Sequence, residues 1–304
     1  MTHKGVVVPL ESLRLARYAV PIPCYICETE NTCDAEYCTH CQAPMALAHQ
    51  ARTQNIRPRM VAVVGASAVG KTVYLGMLMD MLSRQPQRMH LLARGAFSIT
   101  LQQTTIAALA RCQFPKKTPN EPDRWNWVHC QVRRPNHKQP LEIIMPDMAG
   151  EAVLEEVDHP HSYRVVRAFL QKCDAAMILI DAYQLKQGRR EQDYFTMKLL
   201  SYLSELTHQD KKAWQQRPVA IVLSKADQAE QCRDDPEGFA QRHAQGLWQY
   251  CRERFACHRF FAASVVGACA YRESIDEGRI MVPLRIEPHG IIEPFEWLVA
   301  NMPQ

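Results

Sequence analysis

One octapeptide constrains the fold of this chain more than any other feature of its sequence. Residues 65–72 read GASAVGKT, which matches the phosphate-binding pattern of Gly, four residues and then Gly-Lys-Thr. A valine-rich run, 60–64, precedes this loop, and apolar residues at helical spacing follow it over 73–83. Such a loop needs a strand before it and a helix after it, because its backbone N–H groups and the helix N-terminus point together at phosphate oxygens. The sequence therefore predicts an α/β fold with a nucleoside triphosphate site at the end of one strand.

The residues of this loop have separate expected roles. Gly65 and Gly70 allow the backbone to curl around the phosphates. Lys71 is expected to reach the outer phosphates and assist catalysis, and Thr72 is expected to ligate Mg²⁺. The remaining loop residues in the expected nucleotide-binding set are Ser67, Ala68 and Val69.

After residue 60, short runs of Val, Ile and Leu alternate with longer amphipathic segments. This alternation predicts a three-layer α/β fold, in which helices cover both faces of a mostly parallel sheet. The expected strands are 60–64, 127–132, 141–145, 175–180, 219–223 and 259–262. The expected helices are 71–84, 98–112, 161–172, 191–207, 238–255 and 294–301. Residues 279–292 predict an extra hairpin with its turn at 288–290.

Composition and length indicate the wider organisation of the 304-residue chain. We expect an N-terminal segment at 1–50 that holds a cysteine module at about 20–45, a linker at 51–59 and a large domain at 60–304. The 36 basic and 32 acidic residues give a net charge of only +4, which does not by itself argue for a nucleic-acid partner. No apolar run reaches about 18 residues, and the N-terminus lacks the pattern of a signal peptide, so we expect a cytoplasmic protein without a membrane span.

Polar residues follow two further expected strands. Residues 141–151 read LEIIMPDMAGE, in which Asp147 ends an apolar run and Gly150 follows. An aspartate there can hold Mg²⁺ through water, and the N–H of the glycine can meet a γ-phosphate. Residues 219–227 read VAIVLSKAD, and the carboxylate of Asp227 can accept hydrogen bonds from the N1 and N2 donors of guanine, which adenine lacks. The sequence therefore favours GTP or GDP as the nucleotide.

Three neighbours complete the expected base site. Ser224 and Lys225 precede the aspartate, and the stem of Lys225 is expected to cover the face of the guanine ring. The run FFAASV ends the last expected strand, and the backbone N–H near Ser264 is expected to reach the guanine oxygen.

In this order, over about residues 60–300, the motifs resemble those of P-loop GTPases of the translation-factor and Ras-like class. The sequence DMAGE and the long segment before it are similar to bacterial double-GTPase-type domains from conflict-related gene neighbourhoods. The resemblance implies a GTP-binding switch and a threonine that ligates Mg²⁺ from a loop. We assign that role to Thr118, which lies in the loop FPKKTPNEP, because its rivals Thr104 and Thr105 fall in a helical pattern.

The resemblance leaves the rate of hydrolysis open. Glu151 stands where Ras-like relatives place a catalytic glutamine, so it can orient the attacking water or be a solvated carboxylate. Ser67, Ala68 and Ser224 also depart from the common pattern. We therefore expect slow, partner-stimulated hydrolysis, with a pseudo-GTPase scaffold as the alternative and a P-loop ATPase or kinase as a disfavoured one. The arginines near the switch segments are Arg94, Arg111 and Arg164, and none is assigned as an arginine finger.

Two Cys-x-x-Cys pairs near the N-terminus predict a structural metal site. The pairs are Cys24 with Cys27 and Cys38 with Cys41. Because two such turns can direct four thiolates at one tetrahedral ion, we expect Zn²⁺; iron and a redox dithiol are the alternatives. Cys33 and His40 are kept outside the site. The other seven cysteines, which are scattered, are expected to be buried and reduced.

The expected partners are the guanine nucleotide and an unidentified protein effector or activator. Zinc ribbons also bind nucleic acid, and the flank 52–59 carries three arginines. The ribbon contains only Tyr25 and Tyr37 as aromatic residues for base stacking, so a protein-docking role is favoured over nucleic-acid binding.

Overall fold

In the computed structural model, the structure describes residues 20–49, 58–84, 89–135, 137, 139–206, 213–274 and 278–302. The chain divides into two compact units, Met1–Ile56 and Arg57–Gln304.

The N-terminal unit is built around two equivalent turns. A short antiparallel pair, β1 (Ile22–Pro23) and β2 (Glu30–Asn31), flanks the first turn. In that turn the N–H of Glu28 donates to the carbonyl of Cys24, and in the second the N–H of Gln42 donates to the carbonyl of Cys38, each at 3.0 Å. Glu28 and Gln42 both adopt a left-handed conformation, with φ of 63° and 65°. The two Cys-x-x-Cys repeats therefore fold into the same shape.

The larger unit is organised by a seven-stranded sheet in the order β4-β5-β6-β3-β7-β8-β9. The strands are β3 (Arg59–Gly65), β4 (His90–Arg94), β5 (Asn126–Arg133), β6 (Leu141–Asp147), β7 (Ala175–Asp181), β8 (Val219–Ser224) and β9 (His258–Ala262). The pairings β4-β5 and β5-β6 are antiparallel, and the other four are parallel. Val61 and Val63 join one apolar cluster, while Met60, Ala62 and Val64 are buried as well, so both faces of β3 are covered.

Helices lie against this sheet. They are α1 (Lys71–Ser83), α2 (Gly95–Ala110), α3 (Gly150–Asp158), α4 (Arg164–Lys172), α5 (Ala182–Lys186), α6 (Glu191–Glu205), α7 (Gln231–Asp234), α8 (Pro236–His243), α9 (Gln245–Arg254) and α10 (Ile292–Asn301). Leu75 of α1 and Phe295 of α10 pack into the apolar cluster with Val61 and Val63. Helices α3 and α4 contact β3, and α6 contacts β7. The sheet is thus mixed and mostly parallel, with helices flanking it, as the sequence predicts.

A buried carboxylate anchors helix α3. Glu156 is fully buried and accepts hydrogen bonds from the backbone N–H groups of His161 at 3.0 Å and Tyr163 at 2.8 Å. The hydroxyl of Tyr202 in α6 donates to the same carboxylate at 2.6 Å. Because all three donors converge on one side chain, the C-terminal half of α3 is tied to the next loop and to α6.

Each of the six expected strands is present, but several helix predictions were wrong in detail. The helix expected at 161–172 begins at Arg164. The single helix expected at 238–255 is two helices, α8 and α9, which are divided at Ala244, where φ is −142°. The helix expected at 191–207 is α6, which ends at Glu205, and residue 207 lies outside the described residues. Of the seven-stranded sheet and its helices, strand β4 and helices α3, α5 and α7 were not predicted from the sequence.

The hairpin prediction was also wrong. The residues expected to form the first strand, 279–287, do lie in a strand, β11 (Gly278–His289), but its partner is the preceding strand β10 (Ser264–Ser274). The residues expected to form the second strand, Ile291 and Ile292, lie at the start of α10. The segment 288–290 is the exit from β11 towards α10, not the turn of the hairpin. Gly290 adopts φ of +63°, and a Cβ there would lie 1.9 Å from the carbonyl oxygen of Ala262, so only glycine allows this approach. The connection at 275–277 lies outside the described residues.

Among the described helices, none is both long and apolar enough to cross a membrane.

The close contact between α1 and α2 gives a stability prediction. A Cβ on Gly76 would lie 2.4 Å from Oγ1 and 2.5 Å from Cβ of Thr105, which is fully buried. We expect Gly76→Ala to lower the free energy of unfolding by about 1–3 kcal/mol, measured by urea denaturation, although alanine is the better helix former.

A matched control is Gly246→Ala in α9, whose new Cβ meets Met197 Sδ at an ordinary 3.4 Å and is expected to leave stability unchanged or higher. The double variant Gly76→Ala with Thr105→Gly removes the clash. Its loss in the free energy of unfolding is therefore expected to be smaller than the sum of the losses in the two single variants. Additive losses would show that this contact is not tight.

Candidate functional site

A pocket of about 360 Å³ opens at the carboxyl ends of the parallel strands. Strands β3, β6, β8 and β9 all end beside it, which is where open α/β sheets bind ligands. The predicted residues that line it are Ser67, Ala68, Val69, Gly70, Lys71, Thr72, Thr118, Gly150, Glu151, Ser224, Lys225, Asp227 and Ser264. Gly65 and Asp147 lie next to it and contact residues that line it. The structure therefore brings the separate sequence motifs to one site.

The phosphate-binding loop is strongly curled. Gly70 has φ of +94°, and Ala68 also takes a left-handed conformation, with φ of 60°. The ammonium group of Lys71 donates to the carbonyl oxygens of Gly65 at 2.9 Å and Ala66 at 3.0 Å. Burial lowers the pKa of Lys71 to about 8, while the charges of Asp147 and Glu151 oppose this shift. Lys71 therefore lies inside the curl with its charge directed at the loop's own backbone.

At two positions, neighbouring backbone lies so close that only glycine fits. A Cβ on Gly65 would lie 2.4 Å from the carbonyl oxygen of Leu179 in β7. A Cβ on Gly150 would lie 2.6 Å from the backbone N of Ser67 and from the carbonyl C of Ala66. Because Gly150 is the first residue of α3, the start of this helix packs directly against the phosphate-binding loop.

Three oxygen-bearing side chains meet behind the loop. The hydroxyls of Thr72 and Thr118 each lie 2.9 Å from Asp147 Oδ2, and 3.0 Å from one another. Asp147 is fully buried, and its Oδ1 has no hydrogen-bond partner in the part of the chain that the structure describes. Burial raises the pKa of Asp147, and the hydrogen bond from Thr72 and the charge of Lys71 oppose this shift.

This cluster fits a divalent cation. Mg²⁺ takes oxygen ligands and is held by one or two carboxylates with hydroxyls and water, and the unpaired buried Oδ1 of Asp147 is suited to meet such a charge. The rivals to Thr118 lie elsewhere: Thr104 donates to the carbonyl of Thr100 within α2, and Thr105 is buried against Gly76.

The residues after β8 line the part of the pocket at which the sequence predicts the base. Lys225 adopts a left-handed conformation, with φ of 56°, and its ammonium group lies 2.6 Å from Asp181 Oδ2 at the end of β7. Asp227 has one carboxylate oxygen, Oδ1, that is buried without a hydrogen-bond partner among the described residues. Burial raises the pKa of Asp227, which its backbone hydrogen bond and Arg233 oppose. A buried, unsatisfied acceptor of this kind is suited to the paired donors of guanine.

The two serines of the predicted base site differ. The Ser224 hydroxyl donates to the carbonyl oxygens of Val69 at 2.9 Å and Ile180 at 3.0 Å, so it ties β8 to the phosphate-binding loop and to β7. This hydroxyl is therefore used in positioning the loop. Ser264 is 3 % exposed, and its Oγ has no hydrogen-bond partner among the described residues.

Glu151 is held by two neighbours. Its carboxylate pairs with the ammonium group of Lys117, which precedes Thr118, and accepts a hydrogen bond from Ser67. Partial burial acts to raise the pKa of Glu151, but the hydrogen bonds from Lys117 and Ser67 outweigh it and the pKa is lowered. The carboxylate therefore joins three segments, the loop of Thr118, α3 and the phosphate-binding loop.

Sequence reasoning missed several residues of this site. Asp181 follows the apolar run of β7 just as Asp147 follows β6, and that repeated pattern could have identified it. Lys117 carried no such signal, because a lysine in a charged loop is ordinarily solvated. Val265, Cys269 and Met281 of the hairpin also line the pocket, and their placement depends on a pairing that the sequence did not reveal. Arg94, Arg111 and Arg164 do not line it.

The comparison with known families agrees with this geometry. The sequence matches the family described as Double-GTPase 2 over residues 59–281, which is more than half of the chain. This chain belongs to the Double-GTPase 2 family. The matched segment begins with β3 and ends within β11, so the Double-GTPase 2 domain contains the whole seven-stranded sheet. No curated protein matches the chain.

Outside the Double-GTPase 2 domain, four thiols converge. Cys24 Sγ lies 3.7 Å from Cys41 Sγ, Cys27 Sγ lies 3.5 Å from Cys38 Sγ, and all four sulfurs lie within 4.8 Å of one another. Zn–S bonds of about 2.3 Å in a tetrahedron separate the sulfurs by about 3.8 Å, whereas a disulfide separates them by about 2.05 Å. The cluster therefore fits a closed Cys₄ site in an N-terminal zinc ribbon.

Hydrogen bonds to sulfur support this site. The N–H of Ile26 donates to Cys24 Sγ at 3.4 Å, and the side-chain amide of Asn31 donates to Cys38 Sγ at 3.6 Å. Such donors favour the thiolate form that binds metal. Cys33 and His40 do not belong to the cluster. Among the other seven cysteines, four are buried, but Cys112 is exposed and Cys257 and Cys269 are half-buried, so the expectation of uniform burial was wrong.

The base end of the pocket gives a specificity prediction. Asp227→Asn replaces an acceptor of the guanine N1 and N2 donors by an amide, so we expect the affinity for GDP to fall at least about tenfold and that for xanthosine diphosphate to rise. Titration calorimetry with both nucleotides measures this. Asp158→Asn, which alters only a surface pair with Lys198, is the matched control. Unchanged guanine selectivity in Asp227→Asn would place the base elsewhere.

The thiol cluster gives a metal prediction. Purified protein is expected to contain one zinc ion per chain by mass spectrometry of the metal, and Cys38→Ser is expected to lose it. Cys33→Ser is the matched control and is expected to retain the metal, because Cys33 lies outside the cluster. Iron in place of zinc, or loss of metal from Cys33→Ser, would contradict the assignment.

Proposed function

We propose that this protein is a GTP-binding molecular switch that hydrolyses GTP slowly and is stimulated by a partner. The observation that carries this proposal is the convergence of Thr72, Thr118 and Asp147 on one point behind the phosphate-binding loop. These three residues come from α1, from the loop before β5 and from the end of β6. A ligand bound at that point would therefore contact all three of these segments.

The switch would act through two loops. When bound, Mg²⁺ would neutralise charge on the β- and γ-phosphates and draw on the oxygens of Thr72, Thr118 and Asp147. The N–H of Gly150, at the start of α3, would donate to the γ-phosphate. Loss of the γ-phosphate would remove that contact, and the loop of Thr118 and the start of α3 would be released together. Guanine specificity would come from Asp227, with the stem of Lys225 beside the ring.

Slow turnover is supported by what the pocket contains. Its cations are lysines, and none of the lining residues among those described is an arginine. Many related GTPases need an arginine supplied by a partner for rapid hydrolysis. Glu151, the residue in position to orient water, is engaged by Lys117 and Ser67. We therefore assign acceleration to a partner or activator.

The zinc ribbon is proposed as a protein-docking module that links the nucleotide state to an effector. Between residues 20 and 49 it carries four acidic residues, Glu28, Glu30, Asp34 and Glu36, and no lysine or arginine. Nucleic acid binding needs positive charge, so these carboxylates favour a protein partner. The similarity to conflict-related bacterial domains suggests that this effector acts in defence, in the cytoplasm.

A phosphate-release assay tests the proposed function. Wild-type protein with GTP and Mg²⁺ is expected to release phosphate at a rate on the order of 10⁻⁴ to 10⁻² s⁻¹. Lys71→Ala is expected to abolish nucleotide binding, and Thr118→Ala is expected to lower the rate at least about tenfold and weaken its dependence on Mg²⁺.

Three outcomes would contradict the proposal. Tight GTP binding without any phosphate release would identify a pseudo-GTPase scaffold instead. Equal affinity for ATP and GTP would favour an ATPase or kinase. Fast single-turnover hydrolysis at low, monomeric concentration would refute the need for a partner.

A further inference from the structure

The loop of Thr118 adds positive charge to the pocket, because Lys116 and Lys117 line it together with Lys71 and Lys225. Lys117 immediately precedes Thr118, whose hydroxyl lies 3.0 Å from that of Thr72 in the phosphate-binding loop. Its ammonium group contacts the carboxylate of Glu151, and both residues line the pocket. Glu151 follows Gly150, which packs against the backbone of Ser67. Lys117 and Glu151 therefore reach the phosphate-binding loop from two different segments and meet beside it.

We propose that Lys117 is the catalytic cation that this chain itself supplies to the γ-phosphate, and that Glu151 holds it before GTP binds. This inference rests on the proposed function and deepens it, since it names the source of the basal hydrolysis rate. A partner would add to this charge.

The position of Lys117 is fixed by its neighbour. If Thr118 ligates the cation between the phosphates, the residue before it is attached to a point within a few ångströms of the γ-phosphate. A lysine side chain spans that distance and can direct its ammonium group at the phosphate oxygens. The charge of Lys117 already acts at this place, because it lowers the pKa of Lys71 in the same pocket, after the larger effect of burial.

The ion pair between Lys117 and Glu151 is weak enough for Lys117 to exchange Glu151 for a phosphate. The side chains of Lys117 and Glu151 are 66% and 35% exposed, and exposed ion pairs contribute little to stability. A γ-phosphate carries more negative charge than one carboxylate and offers three oxygens, so it would take Lys117 from Glu151 at little cost. The same exchange would leave Glu151 free to orient water.

In the proposed step, the oxygen of a water molecule forms a bond to the γ-phosphorus. The bond from that phosphorus to the bridging oxygen breaks, and its electron pair stays on GDP. The two protons of the water pass to the inorganic phosphate and to solvent. Negative charge grows on the oxygens around the γ-phosphorus and on the bridging oxygen, and a nearby ammonium group stabilises it more in the transition state than in the ground state.

Lys117→Met tests the inference, with Lys198→Met as the matched control, because Lys198 pairs with Asp158 on the surface and does not line the pocket. Full-length wild type, both methionine variants and Lys117→Arg are compared for single-turnover phosphate release and for binding of fluorescent GDP with and without aluminium fluoride and Mg²⁺. Lys117→Met is expected to lower the rate 10- to 100-fold and to lose the extra binding with aluminium fluoride, while its affinity for GDP stays within about threefold of wild type. Lys117→Arg is expected to retain most of both.

Four results would overturn the inference. Lys117→Met can match Lys198→Met in rate, which would remove its role in the reaction. It can also weaken the binding of GDP and of the aluminium fluoride complex equally, which would make Lys117 a binding residue only. Wild type can fail to bind aluminium fluoride without a partner. Each of these leaves the proposed function standing if wild type still releases phosphate. A wild type that binds GTP and never releases phosphate overturns both.

Discussion

The arrangement of the nucleotide pocket depends on one buried carboxylate. Asp147 Oδ2 accepts hydrogen bonds from Thr72 and Thr118, so the end of β6 is joined to the phosphate-binding loop and to the loop before β5. The remaining oxygen, Oδ1, is buried and unsatisfied among the described residues, which is costly unless a cation meets it. The parallel pairing of β3 with β6, which places Val63 beside Asp147, brings these groups together. The register of β3 against β6 therefore determines which side chains meet in the site.

Much of this site could be predicted, because its signals are local. The phosphate-binding loop, Asp147 and Asp227 each follow an apolar strand, and parallel strands end at a common edge of the sheet. Thr118 was found by elimination, since its rivals lie in a helical pattern. Lys117 could not be found in this way, because its place in the site depends on a contact with Glu151, which is distant in the chain.

The hairpin shows where local turn signals give a wrong prediction. Residues 279–292 contain two prolines and a glycine, which suggested a turn, yet Pro283 and Pro288 both lie within β11. An edge strand tolerates proline, because one side of it needs no N–H donors. The partner strand β10 begins at Ser264, directly after the edge strand β9, so this separate hairpin lines the end of the pocket at which the base is predicted. Local turn signals could not reveal a partner that precedes the segment.

The hydroxyl of Ser224 joins the two ends of the pocket. It donates to the carbonyl of Val69 inside the phosphate-binding loop, and the residues that follow it belong to the predicted base site. If those residues hold the base, a shift at the base would be passed through this hydroxyl to the phosphate-binding loop. A wrongly shaped base would then weaken the contacts of the phosphates as well as lose its own hydrogen bonds.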